Sequence, residues 1–382
     1  MGMRHFRIVG GDEGGPRAGK LELPRGGEVC TPLFLPVATK MSVKTISSVE
    51  VRSTGTEAVI TNGFLCSLQP GSDEIFSAGG MHTYMGWDGG LFSDSGGFQF
   101  IRKGFEPVVS DGGVRLRSPF DGSMTSLTPE SVVEFHTMHG VDVGMVLDHC
   151  PKHDVGREEL LLSSRLTVGW AKRSRMRIDE GLGDLSPAGP SSTPLFFAIT
   201  QGGTDLKLRA ENTAKLVDLG FDGYGIGGLS IGEKKEDTFR SLKASTDLLP
   251  VEKPRYFMGV GEPEDMIRSV KMGVDIFDSV YPTRNARHRS VFVGTGRENI
   301  RASGWKGMDG PIMEGCRCIA CRSYSRGYIH HLFKAGEPLG QRLATIHNLT
   351  YIQELMKAVR NRILEGSYGF GLGTLVEMMF SA

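Results

Sequence analysis

Eight short apolar runs punctuate this chain, and each ends on a polar residue or a glycine. They are LFLPVAT (33–39), EAVITN (57–62), LFSDS (91–95), VGMVLD (143–148), LFFAITQ (195–201), GYGIGG (223–228), RYFMGV (255–260) and VDIFDSV (274–280). Strands buried on both faces read this way, and parallel sheets are built from such strands. Amphipathic stretches lie between several of them. Residues 205–220 set Leu206, Leu208, Ala210, Ala214, Leu216, Val217 and Leu219 largely along one face and end on Gly220. Residues 263–273 begin on Pro263 and end on Gly273, a proline-start, glycine-stop helix. Eight strands alternating with helices predict an α/β chain folded as a (β/α)8 TIM barrel, whose active groups gather at the C-terminal strand ends. Those ends carry Asn62, Asp94, Asp148, Gln201, Gly228, Gly259 and Asp278. A doubly wound open sheet is the competing architecture. It calls for a phosphate-binding glycine fingerprint after the first strand, and the sequence has none there.

Three segments break the rhythm. Residues 101–130 read as a hairpin-bearing insertion with turns at Asp111-Gly112 and Asp121-Gly122. Residues 181–194 are rich in Gly, Pro and Ser and are expected to be poorly ordered. Residues 300–348 hold a cysteine cluster. The expected division is a catalytic barrel over 1–299, a zinc-binding insertion over 300–348, and a C-terminal helix over 349–382 that completes the barrel. No run of 18 apolar residues occurs, so no membrane-spanning helix is expected. The first residues lack the apolar core of a signal peptide. Six cysteines, three of them clustered, argue for metal binding in a reducing, cytoplasmic setting rather than for a disulfide framework.

The cluster is CRCIAC, with cysteines at 316, 318 and 321. A tetrahedral zinc needs a fourth ligand, and His330, His331 and His347 are all candidates. The helices expected over 323–334 and 340–366 leave that choice open. Three Cys and one His form a closed, structural set with no position for water. Arg317, Arg322 and Arg326 stand close enough in sequence to favour thiolates. The 44 Lys and Arg balance 44 Asp and Glu, so an anionic partner must be met by local patches. AKRSRMR (171–177) and TRNARHR (283–289) are two, although the ordinary reading of each is a solvated helix or loop face, and for the first that reading is the favoured one.

SDSGGFQ (93–99), GGLSIGE (227–233), YFMGVGEPED (256–265), FDSVYPTRNAR (277–287) and C-x-C-x-x-C followed by IHN occur in this order. Together they resemble the tRNA-guanine transglycosylases (queuine tRNA-ribosyltransferases) over nearly the whole chain. The resemblance implies a pentosyltransferase that exchanges guanine at the tRNA wobble position for a 7-deazaguanine base without breaking the phosphodiester chain. It implies structural Zn2+ on Cys316, Cys318, Cys321 and His347, leaving His330 and His331 as packing or surface residues. It makes Asp278 the nucleophile and Asp94 the general acid/base. The chemistry asks for such a pair. One carboxylate holds the ribose between leaving and entering bases, and a second group moves the protons.

By the same resemblance, Asp148 and Gln201 meet the N1–H and amine edge of the base. The Gly228–Leu229 backbone meets O6. Phe98 and Met258 sandwich the ring, and Gly227 lets the backbone approach. Ser95, Gly96 and Gly97 form the turn after Asp94, and Gly259 completes the pocket. Arg284, Arg287 and Arg289 contact the anticodon loop, whose splayed bases allow readout. A homodimer is implied, with 300–348 at its interface.

Ile231 and Cys150 suggest a closed pocket for the small base 7-aminomethyl-7-deazaguanine (preQ1), as in the bacterial-type short form. Glu233 is expected to reach its ammonium through the Leu229 backbone. Several positions depart from that pattern: His149 for an acid, Thr200 for a glutamine, TNGFLCSLQPG (61–71) without its Tyr-His, and RSPFDG (117–122). The alternatives are preQ0 or queuine as the incoming base, or a non-catalytic tRNA-binding subunit, which would be expected to lose carboxylates of the set. An unrelated barrel glycosidase would need aromatic sugar platforms, and none of the 3 Trp lies beside a strand end.

Overall fold

All eight apolar runs form strands in the computed structural model, which describes residues 5–97 and 107–380. They are β1 (Leu33–Pro36), β2 (Ala58–Asn62), β3 (Gly90–Asp94), β4 (Val143–Met145), β5 (Leu195–Thr200), β6 (Gly223–Ile226), β7 (Arg255–Phe257) and β8 (Ile276–Ser279). From β2 onward each pairs in parallel with the next, and β8 pairs with β1, setting Asp278 beside Leu35. The circle closes between β1 and β2 through a parallel bridge from Val37 to Ile60 and an Ala38 N–H to Ile60 C=O bond of 2.7 Å. A closed barrel leaves no sheet edge, and the open-sheet alternative falls.

Side chains alternate across the barrel wall. Leu33, Leu35, Ile60, Phe92, Phe197, Ile199, Tyr256 and Ile276 fill the interior. Phe34, Val59, Leu91, Phe196, Ala198, Phe257 and Phe277 face outward into the helix layer. Phe92 stands edge-on to Phe197 and to Tyr256, with centroids 6.3 Å apart in both pairs. Fully burying such rings contributes about 1.5–3 kcal/mol each. The helices expected over 205–220 and 263–273 form at Leu206–Asp218 and Pro263–Val270, the second ending three residues before Gly273.

An antiparallel sheet of Phe6–Gly11, Arg17–Glu22 and Glu28–Thr31 precedes the barrel and was not apparent in the sequence pattern. Its Phe6, Leu21 and Val29 join the interior core, so it plugs the end where the strands begin. The expected insertion forms a second such sheet: Val108–Ser110, Gly113–Arg117 and Met124–Leu127. Its two turns fall where Asp-Gly pairs place them; Gly122 has φ +74°. The 101–106 part of that insertion lies outside the described residues. Residues 181–194 are not the loose loop expected. They make two single 3-10 turns, bury Leu182 and Ser186, and seat Pro187 against Gly80 and Gly140. Helix Pro338–Leu364 runs unbroken past the cysteine cluster and packs against the barrel and the hairpin Ser290–Val293/Gly296–Asn299. Among the described residues no helix is long and apolar enough to cross a membrane.

Candidate active site

Strand parity builds the barrel mouth. Asn62, Asp94, Gln201 and Asp278 each lie two residues beyond an inward apolar residue: Ile60, Phe92, Ile199 and Ile276. Alternation therefore sends all four side chains inward, above an apolar floor. Asp148 joins them just past β4, its side chain buried.

Carboxylates in such a place resist ionisation. Burial, assisted by the charge of Asp278, pushes Asp94 up to about 6 against hydrogen bonds from Gly96 N–H (2.8 Å) and Asn62 Nδ2 (3.3 Å). Burial pushes Asp148 up to about 7, opposed by Gln201 Nε2 at 2.7 Å and assisted by Asp94. Burial also raises Asp278, against two donors on its Oδ1: Tyr256 O–H at 2.6 Å and Gly259 N–H at 2.9 Å. All these donors are neutral, so among the described residues three acids share the mouth without a bonded cation.

The expected base pocket assembles around them. Ser95 Oγ accepts Gly97 N–H at 3.3 Å, and Gly96 has φ +89°. A Cβ on Gly97 would stand 2.8 Å from Asp148, and one on Gly228 2.3 Å from Gln201 Oε1, so only glycine fits either place. Gln201 Oε1 is buried and has no hydrogen-bond partner among the described residues. Met258, half-buried, lies over Gly225. The thiol of Cys150, pushed up to about 12 by burial, adjoins Asp148, Gln201 and the Gly228 backbone. Phe98 lies outside the described residues.

Glu233 is used differently from the expectation. Its Oε2 accepts Ile231 N–H at 3.0 Å, and its Oε1 accepts Ser230 N–H and Thr238 O–H at 2.5 Å. It pins the 230–231 turn rather than bonding at Leu229.

Two residues escaped the sequence reading. Tyr256 points inward by the same parity rule, and its hydroxyl ends on Asp278. Arg209 is fully buried and donates to the C=O groups of Gly203 (2.8 Å) and Gly227 (3.1 Å), fixing the backbone at the Gly227–Gly228 approach. The parity rule would have found Tyr256. Arg209 sits on a helix, and its sequence neighbourhood carries no signal for burial.

The cysteine cluster closes on His347. The four ligand atoms of Cys316, Cys318, Cys321 and His347 lie within 4.8 Å of one another, all on buried residues. His347 Nδ1 is 3.6, 3.7 and 3.3 Å from the three sulfurs. Zinc bonds of roughly 2.3 Å to sulfur and 2.05 Å to nitrogen at a tetrahedral angle imply about 3.6 Å, so the set fits that metal. His347 Nε2 bonds Phe292 C=O at 2.8 Å, which fixes the tautomer and turns Nδ1 to the sulfurs. His330 is buried and bonds Ile300 C=O at 2.8 Å, while His331 is exposed, so neither competes as a ligand. Arg326 is occupied by the C=O groups of Pro311 and Ile312 and packs over Trp305. Arg317 and Arg322 stay exposed.

Comparison with known proteins gives the same direction. A family model described as queuine tRNA-ribosyltransferase matches residues 12–372. Proteins named queuine tRNA-ribosyltransferase from Francisella tularensis subsp. novicida and Methylobacillus flagellatus are 41% and 42% identical over 356 residues. These alignments cover 93% of this chain and 94% and 93% of the relatives. One of the same name from Pseudoalteromonas translucida is 42% identical over 354 residues. The chain belongs to the queuine tRNA-ribosyltransferase family. It is a pentosyltransferase on a TIM barrel, and its two basic runs differ.

In 171–177 every arginine meets a carboxylate. Arg173 pairs with Glu130 (2.6 Å), Arg175 with Asp179 (2.6 Å) and Arg177 with Glu134 (2.7 Å). The ordinary reading of that run holds. In 283–289, Arg284 and Arg289 are exposed and Arg287 half-buried. Arg287 bonds its own helix at Thr283 C=O (3.0 Å), and burial, then the charge of Arg284, lowers its pKa. Among the described residues none of these three forms an ion pair.

Proposed function

We propose that this protein exchanges guanine at the wobble position of a tRNA anticodon for preQ1, through a covalent ribosyl-aspartate intermediate. The observation that carries this is the barrel mouth: three desolvated carboxylates with no bonded cation among the described residues, around a slot that only glycine fits at 97 and 228. Asp278 attacks C1′ of the ribose as guanine departs. Asp94, held near neutrality, gives a proton to the leaving base and takes one from the entering base. Asp148 and Gln201 read the Watson–Crick edge, the Gly228–Leu229 backbone meets O6, and Met258 stacks on the ring, with Phe98 opposite. Ser95, Gly96, Gly97, Gly227 and Gly259 shape the slot.

Ile231, its N–H held by Glu233, walls the pocket on the side where a larger base would extend. That favours preQ1 over queuine. Arg284, Arg287 and Arg289 hold anticodon-loop phosphates and bases. Zn2+ held by Cys316, Cys318, Cys321 and His347 would supply no chemistry; it would clamp the cysteine knuckle at 316–321 to helix Pro338–Leu364. Tyr328, 41% exposed and stacked on Tyr324 at 5.6 Å, offers an apolar surface in that segment for a second copy of the chain.

Zinc-replete protein should incorporate radiolabelled guanine into unmodified tRNA bearing a wobble guanine. No incorporation would sink the reading. Competition with preQ1, preQ0 and queuine then tests the pocket; inhibition by queuine as strong as by preQ1 would contradict the role of Ile231.

A further inference from the structure

Asp278 carries both its donors on one oxygen. Tyr256 O–H at 2.6 Å and Gly259 N–H at 2.9 Å converge on Oδ1. Among the described residues Oδ2 has no hydrogen-bond partner, and Asp278 is only half-buried at the barrel mouth. The clamp is rigid. Tyr256 is fully buried, its ring wedged edge-on against Phe92, and Gly259 holds its N–H in place with φ +79°.

We infer that Oδ2 is the attacking atom of Asp278 and that Tyr256 is a positioning residue that favours release of the covalent intermediate. This rests on the reading of Asp278 as nucleophile. In the first step an Oδ2 lone pair forms the bond to C1′, the C1′–N9 bond breaks, and its electron pair leaves with guanine, which is protonated. Asp278 is then an ester, and Oδ1 is its neutral carbonyl. In the second step the deprotonated nitrogen of the entering base bonds C1′. The C1′–Oδ2 bond breaks, and its pair returns to the carboxylate. Negative charge reappears on Oδ1 only in this second step.

A hydrogen bond to a charged acceptor is stronger than one to a neutral acceptor. The Tyr256 hydroxyl therefore stabilises the free carboxylate, and the transition state leading back to it, more than the ester. Tyr256 stays a donor because burial holds its own ionisation well above the usual tyrosine range.

The test is Tyr256→Phe, which removes one oxygen and keeps the ring. With tRNA and guanine, the ratio of denaturation-resistant enzyme–tRNA complex to free enzyme should rise about tenfold over the unaltered protein. Chase of that complex by fresh guanine should slow about as much. With release limiting, kcat and the KM for tRNA should fall together and leave kcat/KM nearly unchanged. A role confined to packing predicts the opposite: less complex and a lower kcat/KM, and that result overturns the inference, as does an unchanged ratio. If the unaltered protein forms no complex at all, the nucleophile reading fails first and this inference with it.

Discussion

The two ends of the barrel use the same residue, aspartate, in opposite ways. Where the strands begin, Asp142, Asp222 and Asp275 accept the N–H groups of Leu91 (2.8 Å), Phe196 (3.0 Å) and Arg255 (2.7 Å), each on an adjacent strand. Two of them also meet bases. Asp275 takes Arg17 through two bonds of 2.9 and 2.5 Å, with both residues fully buried, and Asp142 lies 3.2 Å from His82 Nε2. Where the strands end, Asp94, Asp148 and Asp278 have, among the described residues, neutral donors alone, and all three are pushed towards protonation. Acids at the first end cap strands and lock the antiparallel plug to the barrel. Acids at the second end are held at a cost in stability that only chemistry explains.

The sharpest way to break this contrast is to neutralise one acid at each end. Asp278→Asn should reduce turnover about 10⁴-fold or more and abolish the denaturation-resistant tRNA complex. It should leave the urea midpoint unchanged or raised, because a desolvated carboxylate disappears. Asp275→Asn should do the reverse. It strands the buried Arg17 guanidinium, a loss of about 3–5 kcal/mol in urea unfolding, with the folded fraction still active. Comparable destabilisation from both variants would erase the distinction between the ends.

A smaller effect is expected in the pH dependence. Asp94 is raised to about 6 when folded and sits near 3.8 when unfolded. The folded chain thus binds its proton more tightly. That contribution to stability is complete below pH 3.8 and lost as pH rises through 6. Asp94→Asn should remove it, so the variant gains on the unaltered protein between pH 4 and 7, by about 3 kcal/mol. Urea titrations at several pH values check this; a constant difference would place the Asp94 carboxyl in a solvated environment.

The chain made one end of this molecule easier to read than the other. The eight strands were legible because burial on both faces leaves uninterrupted apolar runs. The polar residues that end them stood out for the same reason. The antiparallel plug was not legible. RIVGG and RAGKLE mix glycine and charge, and what buries them is Arg17 meeting Asp275, 258 positions away. Arg209 was hidden for a similar reason, since a helical arginine reads as solvated until a tertiary contact buries it. Residues 181–194 misled because glycine and proline also serve tight packing, as Pro187 does against Gly80 and Gly140. The choice among His330, His331 and His347 needed three-dimensional distances, although the resemblance had already pointed to His347.

The contrast extends to cations, where the expected effects are smallest. Arg173, Arg175 and Arg177 are neutralised locally, whereas Arg284, Arg287 and Arg289 have no acid within ion-pair distance among the described residues. A guanidinium that already has a carboxylate releases little from a phosphate's counterion atmosphere, because its field is cancelled at short range. An unpaired one contributes fully. Arg287→Ala should therefore raise the KM for tRNA several-fold, change kcat little, and lower the slope of log KM against log salt by roughly 0.7–0.9, the share of one phosphate contact. Arg175→Ala, on the paired run, should change neither. Equal salt slopes for the two variants would show that a uniform field, rather than the placement of unpaired arginines beside the barrel mouth, draws a polyanion to this electrically neutral chain.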